Sequence, residues 1–244
     1  MAYPGGPIMH SELTIVAIDG PAGAGKSTVA RLVAGRLGLC FLDTGAMYRA
    51  LTFVALERGI RADDRARLEA LAAEIELDFD DKGRIRIDGR PGEPMIRRPD
   101  VEAAVSDVSM HPGLRQRVVE RQRELARRWR GAVAEGRDTT TTVFPDAEFK
   151  FYLHASPEIR ARRRAQQLGS PEREGEILAR ILERDLKDRQ RPISPLTEAA
   201  DAVRIEADAP DAETVASRIV ALVLARRPHL GPRATPCGSP ERDP

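Results

Sequence analysis

The stretch that decides the fold runs from residue 13 to residue 27 and reads LTIVAIDGPAGAGKS. Its first part, Leu13 to Ile18, is a short apolar and β-branched run of the kind buried in a parallel sheet. Its second part, residues 20–27, fits the pattern GxxxxGK followed by Ser or Thr. From Lys26 onward apolar residues recur at helical spacing until Gly38, a natural helix stop. A strand, a glycine loop and a helix follow one another, which is the context that identifies a P-loop.

The glycine loop predicts a phosphate site. Glycines let successive backbone N–H groups point at phosphate oxygens, and the start of the following helix adds partial positive charge. Lys26 would reach the β and γ phosphates of ATP, and the Ser27 hydroxyl would ligate Mg²⁺. The predicted ATP-binding residues are Gly20, Pro21, Ala22, Gly23, Ala24, Gly25, Lys26, Ser27 and Thr28. The strand and helix argue against a chance match, but a P-loop alone does not separate a kinase from a motor, a switch GTPase or a transport ATPase.

The rest of the chain alternates apolar runs with helical stretches. Short apolar runs occur at residues 39–42, 132–134, 149–153 and 203–205. Helical periodicity is found near 46–58, 114–129, 157–168, 172–190 and 211–226. This alternation predicts an α/β fold, with a P-loop NTPase-type parallel sheet flanked by helices. Between residues 76 and 96 the apolar period changes to two and hairpin turn signals intervene, which predicts a small antiparallel insertion.

Composition predicts one main domain. The chain has 244 residues, of which 41% are hydrophobic, enough for one substantial core but hardly for two. Both ends lack an apolar period. We therefore expect disorder at residues 1–12 and 227–244, on either side of a P-loop domain at 13–226.

Charge, cysteines and apolar runs bear on partners and location. The formal net charge of +1 argues against a surface for general polyanion binding, so no nucleic acid partner is expected. The two cysteines, Cys40 and Cys237, give no disulfide framework and suit a reducing compartment. The longest apolar stretch, Ile219 to Ala225, is too short to span a bilayer, and residues 1–10 lack the features of a secretory signal. We predict a cytoplasmic chain without a membrane partner, and nothing in the sequence requires more than a monomer.

Three clusters could bind a second anion. Thr44 stands at a predicted helix start with Arg49 one turn inside, and Glu135-Gly136-Arg137-Asp138 follows a short strand. The third cluster, predicted to share one helix face, is Arg180, Arg184, Asp188 and Arg191. The plain alternatives are an ordinary helix cap beside a solvated arginine and a surface salt-bridge ladder. Because all three clusters occur in one P-loop chain, they favour an anion clamp and a phosphotransferase that moves a phosphoryl group from ATP to a small acceptor.

Three blocks of this sequence resemble bacterial cytidylate kinases. They are residues 44–49 (TGAMYR), residues 136–138 with 143–147 (GRD and VFPDA), and residues 184–191 with 194–196 (RDLKDRQR and SPL). The likeness runs from about Thr14 to Ala225. It implies phosphoryl transfer from ATP to CMP, and to dCMP, giving CDP or dCDP and ADP. It also implies a nucleotide-binding insertion at about 61–99 and a lid at about 156–175. Four arginines precede or lie in that lid: Arg160, Arg162, Arg163 and Arg164.

The resemblance implies roles for the site residues as well. The acceptor phosphate and sugar would meet Thr44, Arg49, Arg137, Arg184, Asp188 and Arg191. The cytosine ring would meet Ser106, Arg115 and Asp138. The expected catalytic residues are Lys26, Arg137, Arg184 and Arg191, because phosphoryl transfer depends on positive groups that stabilise charge on the transferred oxygens.

One departure from the family pattern is visible, and two other functions stay open. The family usually has glycine two residues after the aspartate of Arg-Asp, whereas this chain has Thr140 within a run of threonines at 139–142. A different local turn could form there. Another P-loop kinase with a different small acceptor would share the glycine loop but not the Arg137 and Arg184 blocks. A nonenzymatic nucleotide-dependent switch would bind ATP without needing a second arginine-lined anion site.

Overall fold

The computed structural model describes residues 13–209 and 211–232. Its elements follow along the chain as β1 (Thr14–Asp19), α1 (Lys26–Leu37), β2 (Cys40–Asp43), α2 (Thr44–Glu57), α3 (Arg65–Glu74), β3 (Leu77–Phe79), β4 (Ile85–Ile87), β5 (Arg90–Pro91), α4 (Pro99–Val108), α5 (Pro112–Arg128), β6 (Gly131–Gly136), β7 (Phe149–His154), α6 (Pro157–Gln167), α7 (Glu174–Gln190), β8 (Val203–Glu206) and α8 (Ala212–Leu224). Short 3-10 helices at Met95–Arg97 and Pro171–Arg173 and a π-helical turn at Thr139–Val143 complete the described elements.

A five-stranded parallel sheet forms the centre of the structure, in the order β2-β6-β1-β7-β8. Alternate side chains of each strand enter different cores, as strand geometry requires. Ile15 and Ala17 of β1 pack with α2 and α5, whereas Val16 and Ile18 pack with α1 and α8 on the other face. The predicted α/β fold with a parallel sheet flanked by helices is confirmed.

The P-loop connects β1 to α1 through glycines in conformations that other residues rarely adopt. Gly25 stands before α1 with φ of 87°, and Gly38 ends the helix with φ of 65°. At Gly20, where φ is 152°, an added Cβ would lie 2.2 Å from the backbone oxygen of Leu153. Only glycine fits this close approach to β7. The loop is therefore fixed by the neighbouring strand as well as by its own residues.

The segment with period two forms a separate antiparallel sheet in the order β3-β4-β5. Two helices beside it, α3 and α4, were not among the predicted helical stretches. α3 packs on α5 through Leu68 and Leu71, and α4 packs on α2. α4 begins with Pro99 at its first position, where the missing N–H costs nothing. These short helices are stabilised mainly by packing against neighbouring elements. The apolar periodicity of the sequence is only a weak signal for such helices.

The structure departs from the sequence prediction at Cys40. Cys40 is buried on β2 and is disulfide-bonded, so the expectation of no disulfide is wrong at this residue, and the cysteines no longer support a reducing compartment. Cys237 lies outside the described residues, as do residues 1–12 and 233–244, for which disorder was predicted. Within residues 227–232, Arg227 pairs with Glu148 at 2.7 Å and Leu230 packs beside α8.

No helix in the described part of the chain has the length and apolar character needed to cross a lipid bilayer.

The threonine run folds into a π-helical turn that holds the end of β1. Thr139 donates its backbone N–H and its hydroxyl to Asp19 Oδ1, at 2.9 and 2.6 Å. Thr140 donates the same two groups to Asp19 Oδ2, at 2.7 and 2.6 Å. Because Thr140 does not take a positive φ, its Cβ is accommodated without strain. A buried carboxylate at the entrance to the P-loop thus receives four hydrogen bonds.

We expect Thr140→Val to lower the free energy of unfolding by about 1.5–3 kcal/mol, because it removes one buried hydrogen bond to a charged group while keeping the side chain's shape. Thr141→Val is the matched control, since Thr141 is exposed and its replacement should stay within about 0.5 kcal/mol. Urea unfolding of both variants measures the difference. Equal losses in the two variants would show that the hydroxyl of Thr140 does not hold Asp19.

Candidate active site

The P-loop lysine lies inside the protein. Lys26 Nζ donates to the backbone oxygen of Pro21 at 2.9 Å. Burial and the nearby guanidinium of Arg137 lower the pKa of Lys26 to about 7, although Glu135 and Asp19 act in the opposite direction. An anion in the loop would favour the charged form of this lysine. The loop is thus electrostatically suited to a phosphate group.

A buried ion pair between α6 and α7 contacts the P-loop. The N–H of Ala22 donates to Asp185 Oδ1 of α7 at 3.1 Å, and its backbone oxygen accepts from Arg160 Nη1 of α6 at 2.7 Å. Arg160 Nη1 also lies 2.7 Å from Asp185 Oδ2. The backbone N–H and the backbone oxygen of Ala22 are therefore held by charged side chains of α7 and α6, respectively.

A guanidinium cluster stands next to the P-loop and contains several of the residues predicted to bind an acceptor. Asp188 of α7 accepts from Arg137 Nε at 2.9 Å and also pairs with Arg191. Arg49 and Arg184 line the same space, and the Nε atom of each is buried without a hydrogen-bond partner. Burial alone would raise the pKa of Asp188, but Arg137, Arg191 and Arg184 outweigh it and hold that pKa below its ordinary value.

Positive charge exceeds negative charge in this cluster. Burial and the charges of Arg137 and Arg49 lower the pKa of Arg184 to about 10. Burial and the charge of Arg97 likewise lower the pKa of Arg49. A bound phosphate would relieve this repulsion and accept hydrogen bonds from the free Nε atoms.

A second polar group adjoins the cluster, between α4, α5 and the end of β6. Arg115 of α5 donates to the backbone oxygen of Ser109 at 3.1 Å and pairs with Asp138, and both side chains are buried. Burial raises the pKa of Asp138, and the charge of Arg115 offsets part of that rise. Ser106 lies half-buried one turn before Ser109 on α4. The structure brings these three predicted base-contacting residues into one region.

Two predicted site residues have partners inside the protein that the sequence did not suggest. Thr44 Oγ1 donates to the backbone oxygen of Glu135 at 2.6 Å, and the cap of α2 is Asp43, which accepts from the N–H of Ala46 at 2.8 Å. Arg180, four residues before Arg184 on α7, is exposed and pairs with Glu176 at 2.6 Å, so at this residue the structure has the surface salt bridge that the sequence analysis gave as the plain alternative.

The four arginines predicted to precede or lie in a lid separate into two pairs. Arg160 is buried against the P-loop as described above, and Arg163 donates to the backbone oxygens of Ala207 and Asp208. Arg162 and Arg164 are more exposed and lie 3.8 and 3.5 Å from carboxylates of Glu174 and Glu102. The second pair is therefore freer to reach a ligand.

The family model described as cytidylate kinase matches residues 16–225 of this sequence. The chain belongs to the cytidylate kinase family.

Known relatives in this family differ in length. The chain is 46% identical over 219 residues to a cytidylate kinase of Pelotomaculum thermopropionicum, covering 87% of this chain and 96% of the relative. It is 48% identical over 227 residues to a bifunctional pantoate ligase/cytidylate kinase of Synechococcus sp. (strain JA-2-3B'a(2-13)), covering 89% of this chain and 42% of the relative. The chain thus spans about two fifths of the length of the bifunctional relatives it matches.

Among solved structures, a shikimate kinase from Acinetobacter baumannii in complex with shikimate has a TM-score of 0.44 and 20% sequence identity, covering 89% of this chain and 96% of that chain. This likeness is too weak to bear on function.

The sequence did not single out four charged residues that line the site of this family member. Asp19 and Asp43 end β1 and β2, at the sheet edge where parallel strands place ligand residues, so their position was a usable signal. Arg97 reaches Asp43 at 3.1 Å from the 3-10 helix after β5, and Glu102 lies 3.8 Å from Arg49. In a chain so rich in arginine and glutamate, Arg97 and Glu102 carried no distinguishing signal.

The residues beside Lys26 fit a magnesium ion. Ser27 Oγ donates to Glu135 Oε1 at 2.7 Å, so a hydroxyl and a carboxylate meet at the start of α1. Burial and the charge of Asp43 raise the pKa of Glu135. No group of three or more His, Cys, Asp and Glu that could hold a metal alone occurs in residues 13–209 and 211–232. Mg²⁺ usually takes one or two protein oxygens and completes its shell with phosphates and water, so this small set suits it.

We expect Asp185→Asn to lower the free energy of unfolding by about 3–5 kcal/mol, because it leaves Arg160 buried without its partner charge. Glu183→Gln on the same helix is the control. Glu183 pairs with Lys187 at the surface at 3.1 Å, and its loss should cost less than about 1 kcal/mol. Urea unfolding compares the two variants, and equal stability would contradict a buried clamp on the P-loop.

Proposed function

We propose that this chain transfers a phosphoryl group from ATP to CMP, and to dCMP, giving CDP or dCDP and ADP. The observation that carries the proposal is the adjacency of the P-loop and the guanidinium cluster. α7 contacts Ala22 of the P-loop through Asp185, at 3.1 Å, and Arg137 of the cluster through Asp188, at 2.9 Å. The names of the family and of the P. thermopropionicum relative support cytidylate as the acceptor.

The proposed mechanism relies on position and charge. The transition state of phosphoryl transfer is loose, with negative charge spread over the equatorial oxygens, so little covalent chemistry is required from the protein. The backbone of residues 20–28 would hold the ATP phosphates, and Lys26 would bind the β and γ phosphates. Arg137, Arg184 and Arg191 would hold the acceptor phosphate against the donor while the two negative charges approach.

Ser27, with Glu135 beside it, would hold Mg²⁺. The ion would neutralise part of the charge on the ATP phosphates. The other acceptor contacts that we propose are Thr44, Arg49 and Asp188 toward phosphate and sugar, and Ser106, Arg115 and Asp138 toward the base. Thr44 would do so only by redirecting the hydroxyl proton that it now donates to Glu135.

The alternatives have less support. A kinase for an acceptor without a pyrimidine base has no use for the buried Arg115 and Asp138 pair beside the phosphate cluster. A nucleotide-dependent switch has no use for the second guanidinium cluster. The cytoplasmic location, the monomeric state, the absence of a nucleic acid partner, and the boundaries of the insertion, the lid and the terminal segments remain sequence predictions.

We expect the purified chain, given ATP and Mg²⁺, to form ADP with CMP and dCMP but much less with acceptors that lack a cytosine base. A coupled assay across a panel of nucleoside monophosphates and other small alcohols and phosphates measures this preference. Lys26→Ala should keep its far-ultraviolet circular dichroism spectrum and lose turnover by at least about 100-fold, because an electrostatic contact in the transition state is removed. No ADP formation with CMP in the wild type would overturn the proposal, and wild-type turnover in Lys26→Ala would remove the assigned ATP site.

We expect Asp138→Asn to reduce the preference for CMP over UMP by roughly 10- to 100-fold in kcat/KM, because a carboxylate accepts from the 4-amino group of cytosine but repels the 4-oxo oxygen of uracil. The ratio of kcat/KM for the two acceptors is measured in wild type and variant. Asp146→Asn, on the surface after the threonine turn, serves as the control. An unchanged ratio in Asp138→Asn would show that another group selects the base.

A further inference from the structure

Tyr48 lies beside Arg115 of the proposed nucleoside site, and the proposed function assigns it no contact. It belongs to α2, one residue before Arg49, and its side chain is buried. The guanidinium carbon of Arg115 stands 5.1 Å from the centre of its ring. Tyr48 therefore supports the arginine that pairs with Asp138.

The hydroxyl of Tyr48 is buried and has no hydrogen-bond partner among the described residues. A buried tyrosine usually finds a partner for its hydroxyl, because leaving that group unpaired costs free energy. Burial raises the pKa of Tyr48 above its ordinary value, and the charges of Arg115, Asp138 and Arg191 act on the same hydroxyl. The group is thus a neutral phenol, which keeps its proton as a donor.

Other unpaired atoms in the same region argue that a ligand, rather than a packing defect, explains this hydroxyl. The Nε atoms of Arg49, Arg115 and Arg184 are also buried without hydrogen-bond partners. All three arginines belong to the proposed acceptor site. Four unpaired polar groups, with Tyr48 among them, therefore belong to the region where CMP is proposed to bind.

We propose that the Tyr48 hydroxyl donates a hydrogen bond to the nucleoside part of the acceptor while its ring holds Arg115 beside Asp138. This inference rests on the proposed function and adds a residue to it. A packing role alone would need only the ring, which phenylalanine supplies. A ligand-binding hydroxyl instead makes the free protein less stable than a phenylalanine variant, because its cost is recovered only when the acceptor binds.

The test compares Tyr48→Phe with wild type in two properties that should change in opposite directions, because the affinity for CMP should fall while the stability of the nucleotide-free protein should increase. We expect the KM for CMP, and its Kd by calorimetry, to rise about 3- to 10-fold, as for loss of one neutral hydrogen bond. The KM for ATP should not change. The Tm of the nucleotide-free protein should rise by roughly 2–4 °C, because an unpaired buried hydroxyl is removed.

Tyr152→Phe is the matched control. Tyr152 is a buried tyrosine of β7 whose hydroxyl is not among the unpaired buried groups. Its replacement should leave the KM for CMP unchanged. Tyr48→Leu removes the ring as well and should raise the KM for CMP further, since Arg115 loses its support.

An unchanged KM and Kd for CMP in Tyr48→Phe, or a lower Tm, would overturn the inference while leaving the proposed function intact. Failure of the proposed function appears separately, as wild-type protein that forms no CDP. In that case calorimetric binding of CMP to wild type and Tyr48→Phe still decides the inference, and wild-type protein that does not bind CMP overturns both.

Discussion

Buried positive charge between the P-loop and α7 is the constraint on which the rest of the site depends. Lys26, Arg137 and Arg184 influence one another's charge, and the pKa values of Lys26 and Arg184 are lowered as a result. Such a cluster is unfavourable unless carboxylates balance it. Asp188 supplies that balance for Arg137 and Arg191 in the structure, and the incoming phosphates would supply the remainder.

The fold places this charge at one edge of the sheet. β2, β6 and β1 lie side by side, with Asp43 and Asp19 as the last residues of β2 and β1 and Glu135 one residue before the end of β6, so three carboxylates stand where the loops begin. α7 then adds Asp185, Arg184 and Asp188. Because Asp185 holds Ala22 of the P-loop and Asp188 holds Arg137 of the guanidinium cluster, a single helix positions both proposed anion sites. Movement of this helix would change both sites together.

The threonine run shows how a departure from a family pattern can be absorbed. A glycine is usual where this chain has Thr140, and the sequence suggested a changed turn. The structure has a π-helical turn in which the hydroxyls of Thr139 and Thr140 take Asp19 as their acceptor. The added side chains thus form hydrogen bonds to the end of β1 instead of obstructing the turn.

Much of the site could be predicted because its signals are local. Strand, loop and helix around residues 20–27 have fixed spacing, and Arg137 and Asp138 follow a strand end. The contacts of Thr44 and Arg160 could not be predicted. Each depends on which backbone oxygen a distant segment presents, Glu135 for Thr44 and Ala22 for Arg160.

The sequence by itself determined the parallel α/β fold, the P-loop and the family, since these follow from apolar periodicity and from motifs of contiguous residues. Only the tertiary structure decided which arginines are buried. Arg180 and Arg184 stand four residues apart on one helix, yet the first is exposed beside Glu176 and the second is half-buried with its Nε atom removed from water. Helical spacing fixes the relative direction of two side chains, but only the packing of α7 against α6 and α4 decides how far each one is removed from water.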